Sequence, residues 1–491
     1  INKIYQPDKN ELIFTTHRNR QEYKLLMSAD SLNCRIHLTN ASGENPSSPP
    51  MFCMLLRKYL LGGKIESISQ KGLERIVEIT IHNANEFMQP AEYKIIAEIM
   101  GRHSNIILLD SKKNMVIDSI KRISFEVNRY REILPGKTYI NPPLQNKIDL
   151  ILVDNNYIMS IIEEASMTES QKTLSRWILD NFAGFSGASA QEVASRAKLN
   201  HKIPISKLND TEIQEIIKVL IKMRDDLKLY RLSPSVYLNQ KTKEPVDFWI
   251  FPMLSYQKEK VISNFTANNA IDFFFSRKSD FLALNTAKNR IKPQVRKHIE
   301  KLKHNLCYLR ERLSKTSDLQ KYKLWGDILS ANIYRIKPGQ SQVKLPNFYN
   351  SNEELLIPLN EKLSPAHNAQ VYFKRYKKLQ STKIIVEERI NNTLMEIDYL
   401  ESSLVNIEYS RTLEDLSEIQ QELESQNYIK ASRKKLQKDQ ASEPLRFKSS
   451  DGFLINVGKN NRQNDNLTFK KSKPNDTWLH AKDTPGSHVV I

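Results

Sequence analysis

Two heptad-spaced apolar stretches of opposite charge constrain this chain more than any other feature of it. On the first, Ile291, Val295, Ile299, Leu302, Leu306, Leu309 and Leu313 advance in steps of 4-4-3-4-3-4; on the second, Ile390, Leu394, Ile397, Leu400, Leu404 and Ile407 advance in steps of 4-3-3-4-3. Steps of three and four keep an apolar seam on one side of a helix, which is the requirement of a coiled coil. From Lys288 to Lys321 there are eleven Lys and Arg against Glu300, Glu311 and Asp318; from Ile385 to Ser425 there are eleven Asp and Glu against Arg389 and Arg411. Two separate copies gain nothing from that asymmetry, whereas one chain folding back on itself gains attraction between its arms. The expectation is a long antiparallel intramolecular coiled coil over 281–435 in a monomer, with arms of roughly 50 Å at ~1.5 Å per residue and a cap at about 322–380. A hairpin that dimerises two copies is the competing reading.

On either side of this lever the pattern changes. Residues 1–149 alternate short β-like runs ("NELIFTT", "YKLLMSA", "CRIHLTN", "RIVEITIH") with turns, which predicts a mixed α/β domain. Within it "PPMFCMLLRKYLLGG" reads as a helix led in by Pro49 and Pro50 and stopped by Gly62 and Gly63. "PAEYKIIAEIM" reads as a second helix ended by Gly101, before the strand "SNIILLD". Residues 150–233 read as helical throughout. There Gly184 and Gly187 form a tight turn, and Ser189 opens a helix whose free amides suit a phosphate; a plain helix–helix turn is an equal reading. Residues 234–280 return to β-like sequence and are expected to rejoin the first domain. From 443 to 491 the chain shows two strands flanking the hairpin turn "SSDG", an Asn-rich helix start, and "DTWLHAKDTPGSHVVI" as strand, turn and strand. The whole is a multidomain α+β chain.

The formal charge of +18 points to an anionic partner, with nucleic acid ahead of a membrane surface. Much of the positive charge inside the lever faces the acidic arm. The remainder falls on Lys112, Lys113, Lys121, Arg122, Arg129 and Arg131, on Lys374, Arg375, Lys377 and Lys378, and on "KASRKKLQK". Trp478, His480, Lys482 and His488 offer rings and cations to a nucleic-acid strand, although Trp478 on its own also reads as core. Glu74 and Arg75 are adjacent in a strand-like run, so they are expected to face opposite sides of a sheet; Arg75 suits a phosphate or a base edge, or an internal ion pair. Cys34, Cys53 and Cys307 have no metal-ligand spacing and suit a reducing compartment. No phosphate loop, nucleophile elbow or zinc-protease motif is present, so no catalytic residue, metal or cofactor is expected. No apolar run is long enough to span a bilayer. The chain begins at Ile1 and stops inside a strand pattern, as a fragment would.

"ENPSSPPMFCMLLRKYL", "EIMGRHSNIILLD", "REILPGKTYINPP", "DGFLINVGKNNRQND" and "DTWLHAKDTPGSHVVI" together resemble the NFACT family (bacterial RqcH, also named fibronectin-binding protein A, and eukaryotic NEMF) along the whole chain. The resemblance implies an NFACT-N domain lacking its start over 1–149 and again at 234–280. It further implies an inserted helix-hairpin-helix module over 150–233, the coiled-coil middle, and a C-terminally truncated NFACT-R domain over 443–491. It implies a cytoplasmic factor of ribosome-associated quality control. Such a factor binds large ribosomal subunits obstructed by peptidyl-tRNA and recruits tRNA, chiefly alanyl-tRNA, for template-free C-terminal tailing. The ribosome performs the peptidyl transfer, so the factor is no enzyme. A small RNA-binding protein is a conceivable co-factor, and fibronectin a conceivable partner of a surface adhesin. By resemblance the tRNA-binding residues are Glu74, Arg75, Glu98, Ile99, Met100, Arg102 and His103, with RNA contacts at Gly184, Gly187, Lys374, Arg375, Trp478, His480, Lys482 and His488. The family carries Asp-Arg where this chain has Glu74-Arg75, and one extra methylene moves that carboxylate by about one bond length.

Overall fold

The computed structural model describes residues 1–41, 45–85, 87–143, 145–168, 171–256, 259–263, 265–350, 353–430, 443–482 and 486–491. They form two compact units, Ile1–Ser279 and Asp280–Ile491. Most of "KASRKKLQK" and the Pro485 turn lie outside the described residues.

The first unit is built on two antiparallel sheets. One runs β1 (Lys3–Asp8), β2 (Glu11–Arg18), β3 (Gln21–Ser28) and β4 (Arg35–Leu38) in chain order; helix α1 (Met51–Leu60) follows. The other is a meander of β5 (Lys64–Gln70), β6 (Ile76–Ala84), β7 (Pro90–Glu98), β8 (Asn105–Asp110) and β9 (Met115–Ser119). Phe52, Leu56 and Leu60 of α1 share one buried core with Leu12 and Phe14 of β2, Ile79 and Ile81 of β6, and Ile106 and Leu108 of β8. Gly62, with φ +80°, turns the chain after the helix, as its sequence position requires.

The segment "PAEYKIIAE" is strand β7, not the helix its Ala, Glu and Lys content predicts. Tyr93, Ile95 and Ala97 point into the α1 core. Ile96 points the other way, into a second core with Ile107, Leu109, Val116, Ile133 and Tyr139. Only Ile95–Glu98 are buried on both faces, and there the period-two signal begun at Tyr93 and Lys94 is lost, so tertiary packing overrides propensity.

Helices α2 (Asn155–Thr168), α3 (Leu174–Asn181), α4 (Gly187–Arg196) and α5 (Asp210–Lys228) form a module with its own core around Ile162, Trp177, Phe182, Val193 and Ile216. Helix α4 opens at Gly187, not Ser189. Ser186 is its N-cap, and Ser186 and Ser189 form a reciprocal capping box. The following residues build a separate three-stranded sheet of β10 (Ser235–Leu238), β11 (Pro245–Trp249) and β12 (Lys260–Ile262) in the order β11-β10-β12, instead of extending either earlier sheet.

Helix α6 (Ala267–Ser314) supplies the first heptad arm, and α8 (Pro365–Tyr409) the second. Ile291, Val295 and Ile299 are buried with Ile397, Leu400 and Ile407. The arms are antiparallel: Lys288 Nζ donates to the Glu408 carbonyl at 2.7 Å, Lys292 pairs with the Glu408 carboxylate, and Lys303 pairs with Glu401 at 2.7 Å. One correction concerns the acidic arm. It breaks at Ser410, and Thr412 caps a third helix, α9 (Leu413–Ser425), whose Leu416, Ile419 and Leu423 enter the same core. Asp415 then pairs with Lys459 at 2.9 Å and Glu418 accepts from Asn460 at 2.9 Å, so part of the acidic charge serves the C-terminal module instead of the basic arm. Helix α7 (Leu319–Ala331) and the hairpin of β13 (Gln342–Asn347) and β14 (Glu353–Pro358) form the cap, closed around Ile328, Leu345, Ile357 and Tyr372.

The C-terminal module comprises β15 (Leu445–Lys448), β16 (Leu454–Val457), helix α10 (Asn461–Asn466) continued by a π-turn, β17 (Trp478–Leu479) and β18 (Val489–Val490), with sheet order β15-β16-β18-β17. No helix among the described residues is long and apolar enough to cross a membrane.

Candidate nucleic-acid interface

Strands β7 and β8 are joined by Ile99–Ser104, and this connection organises one end of the five-stranded sheet. Gly101 sits at φ +60°, a conformation that costs residues with a Cβ, and starts a single 3-10 turn. Ser104 closes the turn: its hydroxyl accepts from the Met100 amide at 2.8 Å and its own amide donates to the Gly101 carbonyl at 3.0 Å. Arg102 and His103 are thereby held exposed, with Arg102 Nε 2.9 Å from His103 Nε2. Ile99 and Met100 lie half-buried beneath them.

Arg75 joins this group through the backbone. The Ile99 amide donates to the Arg75 carbonyl at 2.8 Å. Glu74 and Arg75 precede β6, so they occupy a loop and do not face opposite sides of a sheet; Arg75 is exposed and Glu74 half-buried. The same loop is fastened to the helical module. The Leu73 amide donates to Asp149 at 2.9 Å, and Leu73 packs on that module's core. Gly184, at φ +80°, lies where a Cβ would come within 3.1 Å of Leu73. Its glycine therefore admits Leu73, and that role needs no phosphate. At the start of α4 the Ser189 amide is already taken by the Ser186 hydroxyl, while Gly187 borders open space.

Glu98 requires a correction. The resemblance places it among tRNA contacts, but its side chain is fully buried. Both carboxylate oxygens accept from Arg131, each at 2.6 Å, and one also accepts from the Tyr139 hydroxyl at 2.9 Å. Burial opposes the charge on Arg131, yet the Glu98 hydrogen bonds and charge leave its guanidinium above the ordinary range. Burial, with the Glu98 charge second, pushes the Tyr139 hydroxyl up as well. Arg131 thus leaves the pool of free surface cations. Lys121 leaves it too, since its ammonium donates to the Ala29 carbonyl, while Arg122 forms a two-pronged pair with Asp118, both bonds 2.8 Å. Lys112, Lys113 and Arg129 remain exposed.

In the second unit, Lys374 and Arg375 are exposed on the first part of α8, with Arg375 5.1 Å from the Tyr322 ring. Trp478, His480 and His488 form one ring cluster with centroids 5.0 to 6.0 Å apart. Trp478 Nε1 donates to the Thr468 hydroxyl at 3.1 Å, and that hydroxyl lies 2.7 Å from His488 Nδ1. Trp478 is half exposed and so is not core. Burial first, then the neighbouring His480, lowers His488 below the usual histidine range. The cluster and Lys482 border a cavity of about 850 Å³ that Asp398, Glu401 and Asp465 also line; those carboxylates make it less hospitable to phosphate than sequence suggests. Among the described residues no cluster of His, Cys, Asp and Glu could hold a metal ion.

Residues 1–442 match the family described as NFACT N-terminal and middle domains. The chain belongs to the NFACT family. This NFACT chain is similar to the Rqc2 homolog RqcH of Bacillus subtilis (strain 168), 35% identical over 495 residues that cover 100% of the chain and 83% of the relative. It is also similar to the Rqc2 homolog RqcH of Streptococcus suis (strain 05ZYH33), 34% identical over 493 residues with the same coverage of 100% and 83%. Among solved structures, the N-terminal part of the fibronectin/fibrinogen-binding protein from Streptococcus suis is 29% identical, covering 56% of this chain and 91% of its own, with a TM-score of 0.45.

Sequence reasoning missed the anchors of this candidate interface: Leu73, Asp149 and the Arg131–Tyr139 pair. Each acts across a long stretch of chain, and no local pattern marks it.

Proposed function

We propose that this NFACT protein acts in ribosome-associated quality control, as the names of its RqcH relatives indicate for them. In this reading it binds large ribosomal subunits obstructed by peptidyl-tRNA in the cytoplasm and holds tRNA, chiefly alanyl-tRNA, for C-terminal tailing. Bond formation belongs to the ribosome. Residues 1–149 and 234–280 serve as NFACT-N, 150–233 as a helix-hairpin-helix module, and 443–491 as part of NFACT-R. The observation that carries the reading is the Ile99–Arg75 backbone bond, which gathers Arg75, Arg102 and His103 at one sheet end. Side chains on a braced turn meet phosphate with little ordering cost.

The test is tRNA binding and tailing on obstructed large subunits by Arg75→Glu and Arg102→Glu. Each is expected to abolish tailing while leaving thermal unfolding unchanged, because both side chains are exposed. Each neutral variant, Arg75→Gln or Arg102→Gln, is expected to flatten the plot of log affinity against log salt by about 0.7 to 0.9 per lost phosphate contact. Normal tailing by both reversal variants would remove these residues from the site.

A further inference from the structure

The buried Glu98–Arg131–Tyr139 group holds something in place. Arg131 ends a loop that leaves β9 at Lys121 and returns beside β7. Asn105, opposite Glu98 in the β7–β8 register, clamps the start: its side chain donates to the Lys121 carbonyl at 2.8 Å and accepts from the Lys121 amide at 3.0 Å. Ile123 and Ile133 then close the loop with two backbone hydrogen bonds of 3.0 and 2.8 Å. Inside it, the Ser124 carbonyl accepts from the amides of Val127 and Asn128, and the Asn128 side chain accepts from the Tyr130 amide at 2.9 Å.

This bracing presents apolar side chains to water. Phe125 is 59% exposed, Val127 78% and Tyr130 59%, whereas Arg131 and Ile133, which follow them, are buried. Arg129, exposed, stands between Val127 and Tyr130, whereas Arg122 precedes the run and is held by Asp118; Glu126 is the one exposed carboxylate of the run. The loop rises from the same sheet end as Arg75, Arg102 and His103, because its two ends are tied to Asn105 and Glu98, the residues flanking Ile99–Ser104. Rings held outward beside the exposed Arg129 match the chemistry of unpaired nucleotides, whose bases stack on aromatic faces while their phosphates meet arginine. A duplex buries its base faces and offers nothing to those rings.

We infer that the loop Ser124–Tyr130 is a stacking platform for unpaired RNA nucleotides, with Phe125 and Tyr130 as the base-contacting residues and Glu98 as a positioning residue acting through Arg131. The inference rests on the RNA reading above and adds to it a preference for single-stranded over paired regions.

The test is fluorescence anisotropy of the whole chain with two RNAs of equal phosphate count, a stem-loop with an unpaired loop and a blunt duplex. The wild type is expected to prefer the stem-loop. Phe125→Ala and Tyr130→Ala are expected to weaken the stem-loop by about 5-fold to 150-fold each, the range of one lost stacked base, and the duplex by less than about 2-fold. Phe125→Tyr and Tyr130→Phe are expected to keep wild-type affinity. Equal loss on both RNAs, or unchanged stem-loop affinity in both alanine variants, overturns the inference. So does loss of large-subunit association with free-RNA affinity intact, which would assign the loop to a protein contact. A wild type that binds both RNAs alike overturns the platform alone; one that binds neither overturns the RNA reading with it.

Discussion

Replacing Glu98 with alanine isolates the energetics beneath the candidate interface. The substitution removes both acceptors of a buried guanidinium and the partner of the Tyr139 hydroxyl. Arg131 is 6% exposed, and its remaining acceptor is the Ile140 carbonyl at 3.0 Å. Leaving one member of such a pair without its counter-charge typically costs about 3–5 kcal/mol. The surviving carbonyl contact places the expected loss near 3 kcal/mol. Removing only the hydroxyl, with Tyr139→Phe, is expected to cost about 1.5 kcal/mol, in the lower range for a hydrogen bond to a charged group. The double variant Glu98→Leu with Arg131→Met takes both charges away and is expected to recover to within about 1 kcal/mol of wild type, since buried pairs replaced by apolar residues are often neutral. Urea unfolding followed by hydrogen exchange of peptides from the first unit reads all three, and exchange at Val127 and Asn128 reports the loop directly. A single variant that loses less than about 1 kcal/mol, or a double variant no better than the single, refutes the assignment of Glu98 as a buried counter-ion.

Further expectations are independent of that pair. Gly184→Ala forces a left-handed residue and crowds Leu73; it is expected to cost about 2 kcal/mol, and Leu73→Ala is expected to relieve the crowding but not the backbone strain. Leu400→Ala, at a fully buried position of the lever, is expected to cost about 2–5 kcal/mol. Sedimentation equilibrium should return the mass of one chain, and a dimer would assign the heptad arms to pairing between copies. Alkaline pH should weaken the fold. Tyr428 is pushed up to about 12 by burial and by Glu396, from an ordinary 10.0, and Tyr399 and Tyr139 move the same way. A raised phenol is stabilising while the unfolded chain also holds its proton, and that stability is lost as pH rises from about 10 through the folded value. Urea midpoints measured across that window should fall; a flat profile would contradict the buried phenols.

The sequence by itself determined the elements whose information is local. The heptad steps through Ile291–Leu313 and Ile390–Ile407 fix two helices and their shared seam, because a repeat of three and four lays one stripe along a helix whatever surrounds it. Pro50 and Gly62 bound α1 for the same kind of reason, through the backbone conformations they permit. The Ser449–Gly452 turn sets a hairpin in the C-terminal module. Tertiary structure decided the rest. Pro90–Glu98 is a strand because its neighbours pair with it and packing covers both faces of Ile95–Glu98, which erases the alternation there that would have announced it. Glu98 turns inward because Arg131, thirty-three residues further on, is brought beneath it. Arg75 is tied to the Ile99–Ser104 connection by its carbonyl's bond with the Ile99 amide, and Gly184 makes room for a leucine from another module. Contacts between residues distant in the chain depend on how sheets and helices stack, and one-dimensional periodicity carries no record of that stacking.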